Sequence, residues 1–450
     1  MMITRIKQFL NDIKIRRWEK HREIRLQQLA RESYATQTSQ KNYNDREDRF
    51  QIHALFVCEE FFHPDLRGFG GFGKTVKNIA EYFNKTPENG VKISLALSEP
   101  TNMVRTNCVR RYHDTDVFLR PSTSNSTDAN IFHEYAKLLG SANPRVFITI
   151  DWYPSYAMPI YALSALPLLI WIHDPRDKAE WTQIATVADE LRFRGASTAA
   201  ELIALAEEKS LSIKKLFALQ HLLPRKIVFA TTAQTLVERA QRTYNIASIP
   251  AYWLPNPIEI PVLEKIEFSE RPSLLYLGRL DAVKRPWIAF ELANRHPDID
   301  FLIAGQAHVT ELMDPWIKRY KHLSNLKLLG HVDGIGKDKL LRTCWGIINT
   351  SVHEAEPVSF LEAFSYGKCV LSCHDPDSEV TKFGYYTGEI LGDGLDNGSL
   401  ERFSTQIQLL ISDSAQRHEK GFLARKEMEK NHTFKSFHQH LQVILEAEGI

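Results

Sequence analysis

Residues 346–373 read GIINTSVHEAEPVSFLEAFSYGKCVLSC. The stretch opens with the apolar run GIINTS and closes with the apolar run KCVLSC, and a helical pattern separates the two. Continuous apolar runs are typical of strands that are buried on both faces of a parallel sheet. Ligands of such sheets bind at the carboxyl ends of the strands, so we expect functional side chains in the loop that follows GIINTS.

The same alternation of apolar runs and helical patterns extends over most of the chain. The first half contains IHALFVC, VKISLAL, RVFITI, LPLLIWI and RKIVFA, and the second half contains SLLYLG, IDFLIAG and NLKLLG before the quoted stretch. Neither half shows a short repeat of fixed period, which excludes solenoids and propellers. The pattern predicts an α/β chain with two doubly wound, Rossmann-like domains that face each other across a cleft.

A cluster of prolines marks the boundary between the two predicted domains. Pro255, Pro257 and Pro261 lie within seven residues, in the segment YWLPNPIEIPVLEKIEF, where the βαβ rhythm is interrupted. The C-terminal helix either stays with the second domain or returns to the first, and the sequence leaves this open. The predicted parts are a basic helical extension and linker over 1–49, an N-terminal domain over 50–257, a C-terminal domain over 258–435, and a C-terminal helix over 436–450.

Composition limits the classes of protein to which the chain can belong. Its 450 residues are 43% hydrophobic, which is enough for two cores, and its formal charge of +1 gives no reason to expect a nucleic-acid partner. The five cysteines are an odd number, and four lie in or beside apolar runs, as buried thiols of a reducing compartment do. The longest apolar run has 12 residues and contains a proline, whereas a membrane helix needs about 20. We also find no signal-peptide pattern, and we expect a cytoplasmic protein.

The first 32 residues carry a local positive charge. Nine Lys/Arg stand against four Asp/Glu, a net charge of +5, and Ile3, Ile6, Leu10 and Ile13 fall on one face of a helix. A basic amphipathic helix of this kind binds anionic membrane surfaces, so peripheral contact with the inner membrane face is one hypothesis. The apolar pattern ends after Ile13, and a helix that packs on protein is the alternative.

The glycine-rich segment 68–75, GFGGFGKT, fits the text of two phosphate-binding motifs. It matches both the P-loop pattern and the dinucleotide fingerprint, but residues 59–67 separate it from the preceding strand, and this spacing argues against both. Its glycines, among them Gly70 and Gly71, allow close backbone approach, and the helix expected to begin near Lys74 would point its N–H groups at a bound anion. We therefore expect an anion site, with a glycine-rich packing turn as the alternative.

Two cations follow the first strand of the second half. Arg279 and Lys284 lie five residues apart in GRLDAVK, directly after SLLYLG. Such a pair can hold a diphosphate without a metal, since the arginine binds as a fork and the lysine as a point charge. Two ordinary surface charges would give the same sequence.

The quoted stretch adds two carboxylates and a helix N-terminus. Glu354 is expected in the loop before the helix and Glu362 one to two turns inside it, with Pro357 at the first helical position. The N–H groups of Val358 and Ser359 would then remain available for phosphate or hydroxyl oxygens. A carboxylate in the loop suits sugar hydroxyls and an inner one suits a ribose diol, although a glutamate at a helix start is often only a partner of the helix dipole.

Taken in this order, the glycine-rich loop, LPNPIEI, GR-x4-K and Glu-x7-Glu followed by LEAFSYGK resemble the retaining glycosyltransferases of family four, which have the GT-B fold. The resemblance covers about residues 50–435 and is more specific in the second half. It implies an enzyme that moves a sugar from a nucleotide-diphosphate sugar to an acceptor hydroxyl with retention, without a metal or other cofactor. It also implies a glycan, lipid-linked or other hydroxyl acceptor on the side of the N-terminal domain.

The resemblance assigns roles to particular residues. Arg279 and Lys284 would hold the donor diphosphate, Glu354 the transferred sugar and Glu362 the ribose. Val358 and Ser359 would offer backbone N–H groups, and Gly70 and Gly71 would contact the phosphates from the first domain. His173, in LLIWIHDPRD, falls where the family often has a histidine near the reacting centre, although the apolar run before it also suits a core histidine. The implied catalytic set is Glu354, His173, Arg279 and Lys284, with no metal ligand.

Several features depart from the family or allow another function. Ala355-Glu356-Pro357 replaces the Gly-Phe-Gly-like run that commonly follows the first glutamate, which leaves the donor open. The D-x-D segments 114–116 and 375–377 resemble metal sites, but we interpret them as surface loops because the diphosphate already has a cationic partner. The alternatives are a sugar-nucleotide epimerase of the same fold, a P-loop NTPase that uses GFGGFGKT, and a scaffold without activity.

Overall fold

The computed structural model describes most of the chain, and its residues form two compact units. The first unit is drawn from Met1–Trp171, Leu211–Ala230 and Leu445–Ile450, and the second from Ile172–Ser210 and Thr231–Ile444. The described residues are 24–37, 52–59, 71–98, 109–112, 114–120, 128–187, 198–220, 223, 225–307 and 309–450.

The first sheet has eight strands in the order β3-β4-β2-β1-β5-β6-β7-β8. The pairs β1–β2, β1–β5, β2–β4 and β5–β6 are parallel, and β3 runs antiparallel to β4. The order reverses direction between β1 and β5, as a doubly wound sheet requires. The strands are β1 Ile52–Cys58, β2 Val91–Leu97, β3 Val109–Tyr112, β4 Thr115–Phe118, β5 Val146–Ile150, β6 Leu168–Ile172, β7 Ile227–Thr231 and β8 Ala251–Trp253.

The helices of this part of the chain lie between the strands, as the sequence predicts. The helix expected near Lys74 begins three residues earlier, at Gly71, so that the end of the glycine-rich segment forms its first turn. Its buried residues include Val76, Ile79 and Phe83, which recur at helical spacing and bury one face. The helices are α1 over 24–37, α2 Gly71–Lys85, α3 Asp128–Gly140, α4 Ala157–Ala162, α5 Lys178–Ile184, α6 Ala199–Gln220 and α7 Thr235–Tyr244.

Helix α1 packs on the first unit. Leu29 and Ala30 are buried, and the Ser33 hydroxyl donates a hydrogen bond to the Ala162 carbonyl at 2.7 Å. In return, the Ser164 hydroxyl donates to the Ala30 carbonyl at 2.7 Å. The residues on which the membrane hypothesis depends, Ile3 to Ile13, lie outside the described residues, so this packing concerns only the later part of the extension.

The second sheet has six strands in the order β11-β10-β9-β12-β13-β14, and all five pairs are parallel. The chain runs outward from β9 to β11 and then returns to the other side of β9 with β12. The carboxyl ends of β9 and β12 therefore meet at the switch point where such sheets bind ligands. The strands are β9 Ser273–Leu277, β10 Asp300–Ala304, β11 Leu326–Gly330, β12 Gly346–Asn349, β13 Cys369–Ser372 and β14 Tyr385–Tyr386.

Both faces of the second sheet are buried at β9 and β13. Successive residues of one strand enter different apolar clusters: Leu274 packs in one and Leu275 in the other, and Leu371 and Val370 divide in the same way. This confirms the prediction from the continuous apolar runs for these strands, since a strand covered on one face only would alternate with polar residues. The run NLKLLG differs, because it forms the edge strand β11, whose middle residues are exposed. The helices are α8 Pro286–Arg295, α9 Thr310–Tyr320, α10 Gly334–Thr343, α11 Val358–Ser365, α12 Glu379–Phe383, α13 Asn397–Ser412, α14 Ser414–Asn431 and α15 Phe434–Glu448.

Three further observations concern membrane helices, the cysteines and the C-terminus. Among the described residues, no helix is both long enough and apolar enough to cross a membrane. Cys58, Cys344, Cys369 and Cys373 are buried, as expected, and Cys108 lies outside the described residues. The last residues, Leu445–Ile450, group with the first unit.

Candidate active site

The loop after β9 holds the two cations in a tight turn organised by Asp281. The carboxylate of Asp281 accepts a hydrogen bond from the Lys284 backbone N–H at 3.0 Å and forms an ion pair with Arg279, Nη2 to Oδ2, at 3.1 Å. The side chain of Arg279 is 43% exposed, so its guanidinium remains accessible to a ligand. Asp281 lies between the two cations in GRLDAVK, but the sequence analysis assigned it no role.

The loop after β12 carries Glu354, whose side chain is 7% exposed. Its Oε1 atom accepts hydrogen bonds from Lys284 Nζ at 2.6 Å, Asn349 Nδ2 at 2.8 Å and Ser351 Oγ at 2.6 Å. Burial by itself raises the pKa of this carboxyl group, but the Lys284 charge and the three hydrogen bonds outweigh burial and hold the pKa below its ordinary value. Glu354 is therefore ionised at neutral pH.

The structure thus joins two residues to which the sequence analysis gave separate roles. Lys284 and Glu354 form an ion pair in which the carboxylate orients the ammonium group. The ammonium group has three donors, and the contact with Oε1 uses one of them, so two remain for phosphate oxygens. The carboxylate keeps acceptor capacity on Oε2, which suits a sugar hydroxyl.

Arg285 ties the two loops together, and the sequence analysis missed it. Arg285 is fully buried, and its backbone adopts the left-handed conformation, with φ of 46°. Its guanidinium donates to the carbonyls of Thr350 at 2.7 Å, Ser351 at 2.8 Å and Gly392 at 2.8 Å. The Thr350 hydroxyl in turn donates to the Lys284 carbonyl at 2.8 Å. Nothing in the sequence separates Arg285 from an ordinary surface arginine, because its partners are backbone atoms of a distant loop.

Helix α11 begins one residue later than predicted. Pro357 is the residue before the helix, with φ of −68° and ψ of 125°, instead of its first residue. Proline has a fixed φ that is compatible both with the first helical residue and with the residue before it. Pro357 can therefore occupy either of these positions. The backbone N–H groups of Val358 and Ser359 lie in the first turn, and among the described residues no side chain caps this helix.

Glu362 lies in the second turn of α11, as predicted, and is paired with a lysine of α10. Lys337 Nζ contacts Glu362 Oε1 at 2.6 Å, and both side chains are only partly exposed. An ion-paired carboxylate still accepts hydrogen bonds from a diol. Lys337 was not identified from the sequence because it comes from a different helix.

His173 follows β6 and is 6% exposed. Burial lowers the pKa of His173 to about 3, against a smaller opposing effect of Asp174, so the imidazole is neutral at physiological pH. Asp174 contacts Arg176 Nε at 2.9 Å and His353 Nε2 at 2.8 Å. Since His353 immediately precedes Glu354, this contact links the segment of His173 to the loop of Glu354.

The structure connects four of the predicted site residues with one another. Lys284 and Glu354 are in direct contact, Arg279 shares Asp281 with Lys284, and His173 is linked to them through its neighbour Asp174. Gly71 lies in the first unit, as the first residue of α2. Gly70 lies outside the described residues.

Part of the chain matches a known protein family. Residues 263–427, which include both loops and α11, match the family Glycosyl transferases group 1. Over this segment the chain is similar to the proteins of that group. In a search of curated protein sequences, no match to this chain was found.

Solved structures of similar fold are glycosyltransferases with low sequence identity. Sucrose-phosphate synthase from Thermosynechococcus elongatus aligns with a TM-score of 0.61 and 12% identity over 88% of this chain and 99% of its own. HepE from Anabaena, solved with UDP and glucose, aligns with a TM-score of 0.60 and 13% identity over 88% and 100%. The lipopolysaccharide outer core galactosyltransferase WaaB aligns with a TM-score of 0.56 and 14% identity over 88% and 100%. These likenesses show the GT-B fold.

The segment that matches the family does not include the glycine-rich segment that resembles a P-loop. Strand β1 ends at Cys58 and helix α2 begins at Gly71, so residues 59–70 separate them. A P-loop strand leads directly into its glycine loop, and the observed spacing continues to argue against that alternative.

The aspartates of the D-x-D segments form ion pairs or accept hydrogen bonds within the protein. Asp116 forms an ion pair with Lys92 at 3.2 Å, and Asp114 with Arg111 at 3.3 Å. Asp377 accepts hydrogen bonds from the backbone N–H groups of Gln234 at 2.7 Å and Thr235 at 2.9 Å. These contacts give both segments structural roles. The prediction of a surface loop is wrong for the first segment, because Thr115 and Asp116 belong to strand β4.

Proposed function

We propose that this protein is a retaining glycosyltransferase that moves a hexosyl group from a nucleotide-diphosphate sugar to an acceptor hydroxyl without a metal ion. The observation that carries the proposal is the Lys284–Glu354 ion pair at the switch point between β9 and β12. The proposal assigns the diphosphate to the cation and the sugar to the carboxylate, and these two groups lie within one hydrogen bond of each other. The family match of residues 263–427 supports the same assignment.

The main electrostatic demand of the reaction is the charge of the leaving group. As the glycosidic C–O bond breaks, negative charge grows on the β-phosphate, and groups that are already oriented stabilise it most. Asp281 and Glu354 fix Arg279 and Lys284 before the donor binds. The N–H groups of Val358 and Ser359 add the positive end of a helix.

The other site residues position the donor. Glu354 would accept hydrogen bonds from hydroxyls of the transferred sugar, and Glu362, held by Lys337, would accept from the ribose diol. His173 is neutral, so it acts through hydrogen bonds near the reacting centre and does not add a positive charge there. Gly70 and Gly71 would contact the phosphates by backbone N–H groups.

Retention follows from attack on the same face from which the diphosphate leaves. The acceptor hydroxyl forms the new C–O bond as the old one breaks, and its proton passes to the departing phosphate oxygen. The products are a nucleoside diphosphate and the glycosylated acceptor. Exclusion of water would protect the donor from hydrolysis.

Two features suggest the class of donor and acceptor. HepE was solved with UDP and glucose, and WaaB is a galactosyltransferase of the lipopolysaccharide outer core. UDP-hexose is therefore the first donor to test, with a glycan, polysaccharide or glycolipid acceptor. We further propose a cytoplasmic enzyme with a peripheral membrane contact through residues 1–32.

The cations provide the decisive test. Replacement of Arg279 or Lys284 by Ala should lower kcat more than it weakens donor binding, because the charge that they oppose grows in the transition state. Loss of one such group costs on the order of 3 kcal/mol, about a hundredfold in rate. The measurement pairs calorimetric titration of UDP with initial rates of sugar transfer.

Arg271→Ala and Lys327→Ala are matched controls. Both residues are exposed cations of the same unit that pair with Asp300 instead of the site. They should leave binding and turnover unchanged. Normal binding and turnover in both Arg279→Ala and Lys284→Ala would remove the diphosphate site and the proposed function with it. Epimerisation of the donor without acceptor would favour the epimerase.

A further inference from the structure

Three potential metal ligands converge in the second unit, outside the contacts of Glu354. Glu356 lies in the loop before α11, Glu379 is the first residue of α12, and His432 follows α14. One ligand atom from each of these side chains lies within 4.8 Å of the other two. His432 is 2% exposed, so the imidazole is fixed within the fold.

The carboxyl group of Glu379 is poorly compensated by the protein. The Oε2 atom of Glu379 is buried and has no hydrogen-bond partner among the described residues. Burial raises the pKa of Glu356 to about 8, and burial together with the nearby Glu356 and Asp377 raises that of Glu379 well above its ordinary value. A buried carboxylate that lacks a partner is costly, and a bound cation removes that cost.

Asn256 orients two of the three groups. Its backbone carbonyl lies 3.0 Å from His432 Nδ1, and because a carbonyl only accepts, Nδ1 carries the proton and Nε2 keeps a lone pair. Its side-chain Nδ2 donates to Glu356 Oε2 at 2.8 Å. Histidine ligands of metals usually donate their second ring N–H to a carbonyl or carboxylate in this manner. The ring of Trp253 packs edge-on against His432, with centroids 6.5 Å apart.

The cluster opens onto a cavity of about 410 Å³ that has room for water ligands. Four carboxylates and one lysine line this cavity, a formal charge of −3 when all are ionised. The lysine, Lys382, donates to the backbone carbonyl of Asp377 at 3.1 Å. The carboxylate of Asp377 caps helix α7, so it is not available as a ligand.

We propose that Glu356, Glu379 and His432 bind one divalent transition-metal ion, with Zn²⁺ as the best fit and water completing the coordination. An imidazole with two carboxylates favours zinc over Mg²⁺ or Ca²⁺, which prefer oxygen ligands alone. Ligands at about 2.0–2.2 Å from one zinc ion lie within roughly 4.2 Å of each other, so small side-chain rotations complete the site.

The ion would tie three elements together. It would connect the loop before α11, which also carries Glu354, to the start of α12 and the end of α14. Its role is structural, and the diphosphate is still held by Arg279 and Lys284.

Zinc titration of the full-length chain, without an affinity tag and after treatment with a chelator, tests the proposal. Isothermal titration with ZnCl₂ should give one site per chain, and the ion should raise the Tm. Glu379→Gln and His432→Gln should each weaken zinc binding at least tenfold and abolish the rise in Tm. Circular dichroism of each variant checks that it is folded.

Two nearby residues provide matched controls. His440 also packs on Trp253, with centroids 5.1 Å apart, and Glu429 is a carboxylate of α14 that pairs with Arg425 at 2.9 Å. His440→Gln and Glu429→Gln should bind zinc as the wild type does. Absence of saturable binding by the wild type, or equal binding by all four variants, would overturn the site.

Discussion

Glu354 is a buried carboxylate with three hydrogen-bond donors around one of its oxygen atoms. The carboxylate is almost inaccessible, yet three donors on Oε1 hold its pKa low, so the ionised form persists without a ligand. Removal of one partner of a buried ion pair is costly because the other charge stays behind. Substitutions of Glu354 and Lys284 are therefore expected to be non-additive, as for any residues in contact.

The two glutamates should separate donor binding from transfer. Glu354→Gln should reduce the transfer rate while UDP still binds, because its proposed contact is with the sugar. Glu362→Gln should weaken binding of bare UDP, because its proposed contact is with the ribose. Calorimetric titration of UDP and initial rates on each variant give the comparison.

Lys337→Ala serves as the control for Glu362. If Glu362 itself contacts the ribose, loss of its partner should weaken UDP binding less than Glu362→Gln does. The interpretation is wrong if Glu354→Gln loses UDP affinity as strongly as Glu362→Gln.

The N-terminus of helix α2 is the predicted anion site of the first unit. Its first residue is Gly71, and a Cβ added there would meet no heavy atom of the described residues within 4 Å. The described part of the protein thus leaves space for a side chain at this position, and valine is no worse than glycine within a helix. A loss of function at Gly71 without a loss of stability would point to a ligand that approaches the helix N-terminus.

This gives a test of the anion site against the P-loop. Gly71→Val should lose transfer because the added side chain obstructs the backbone N–H groups, and the variant should keep its Tm. Lys74→Ala should retain much of the activity, since the site is expected to use backbone donors. A folded Lys74→Ala enzyme without activity would instead support a P-loop function, as would ATP hydrolysis by the wild type.

The N-terminal extension bears on how the molecule as a whole meets its acceptor. Residues 24–37 pack on the first unit through Leu29, Ala30 and Ser33, so the membrane hypothesis now concerns the segment before them. That segment, 1–23, has seven Lys/Arg against three Asp/Glu, a net charge of +4. Such a segment is attracted to anionic lipid at low salt.

Deletion of residues 1–23 should abolish co-sedimentation with phosphatidylglycerol vesicles and leave UDP binding unchanged. Vesicles of phosphatidylcholine alone and a series of salt concentrations separate charge attraction from non-specific adsorption. Equal co-sedimentation of the full and shortened chains would contradict the membrane contact and favour a helix that packs on protein.

The positions of the elements were largely predictable from the sequence. Runs such as IHALFVC and VKISLAL coincide with β1 and β2, because a strand buried on both faces must be apolar along its whole length. The start of α11 was wrong by one residue and that of α2 by three. The exact start of a helix depends on whether a glycine or proline at its end adopts helical backbone angles. The spacing of apolar residues does not show this.

The sequence by itself determined the two-sheet architecture and the residue types of the candidate site, because apolar periodicity and the spacing of charges are local properties. Only the tertiary structure decided the partners: Lys284 for Glu354 and Lys337 for Glu362. It also brought Glu356, Glu379 and His432 together. These contacts join residues far apart in the chain, and side-chain distances follow from how strands and helices pack.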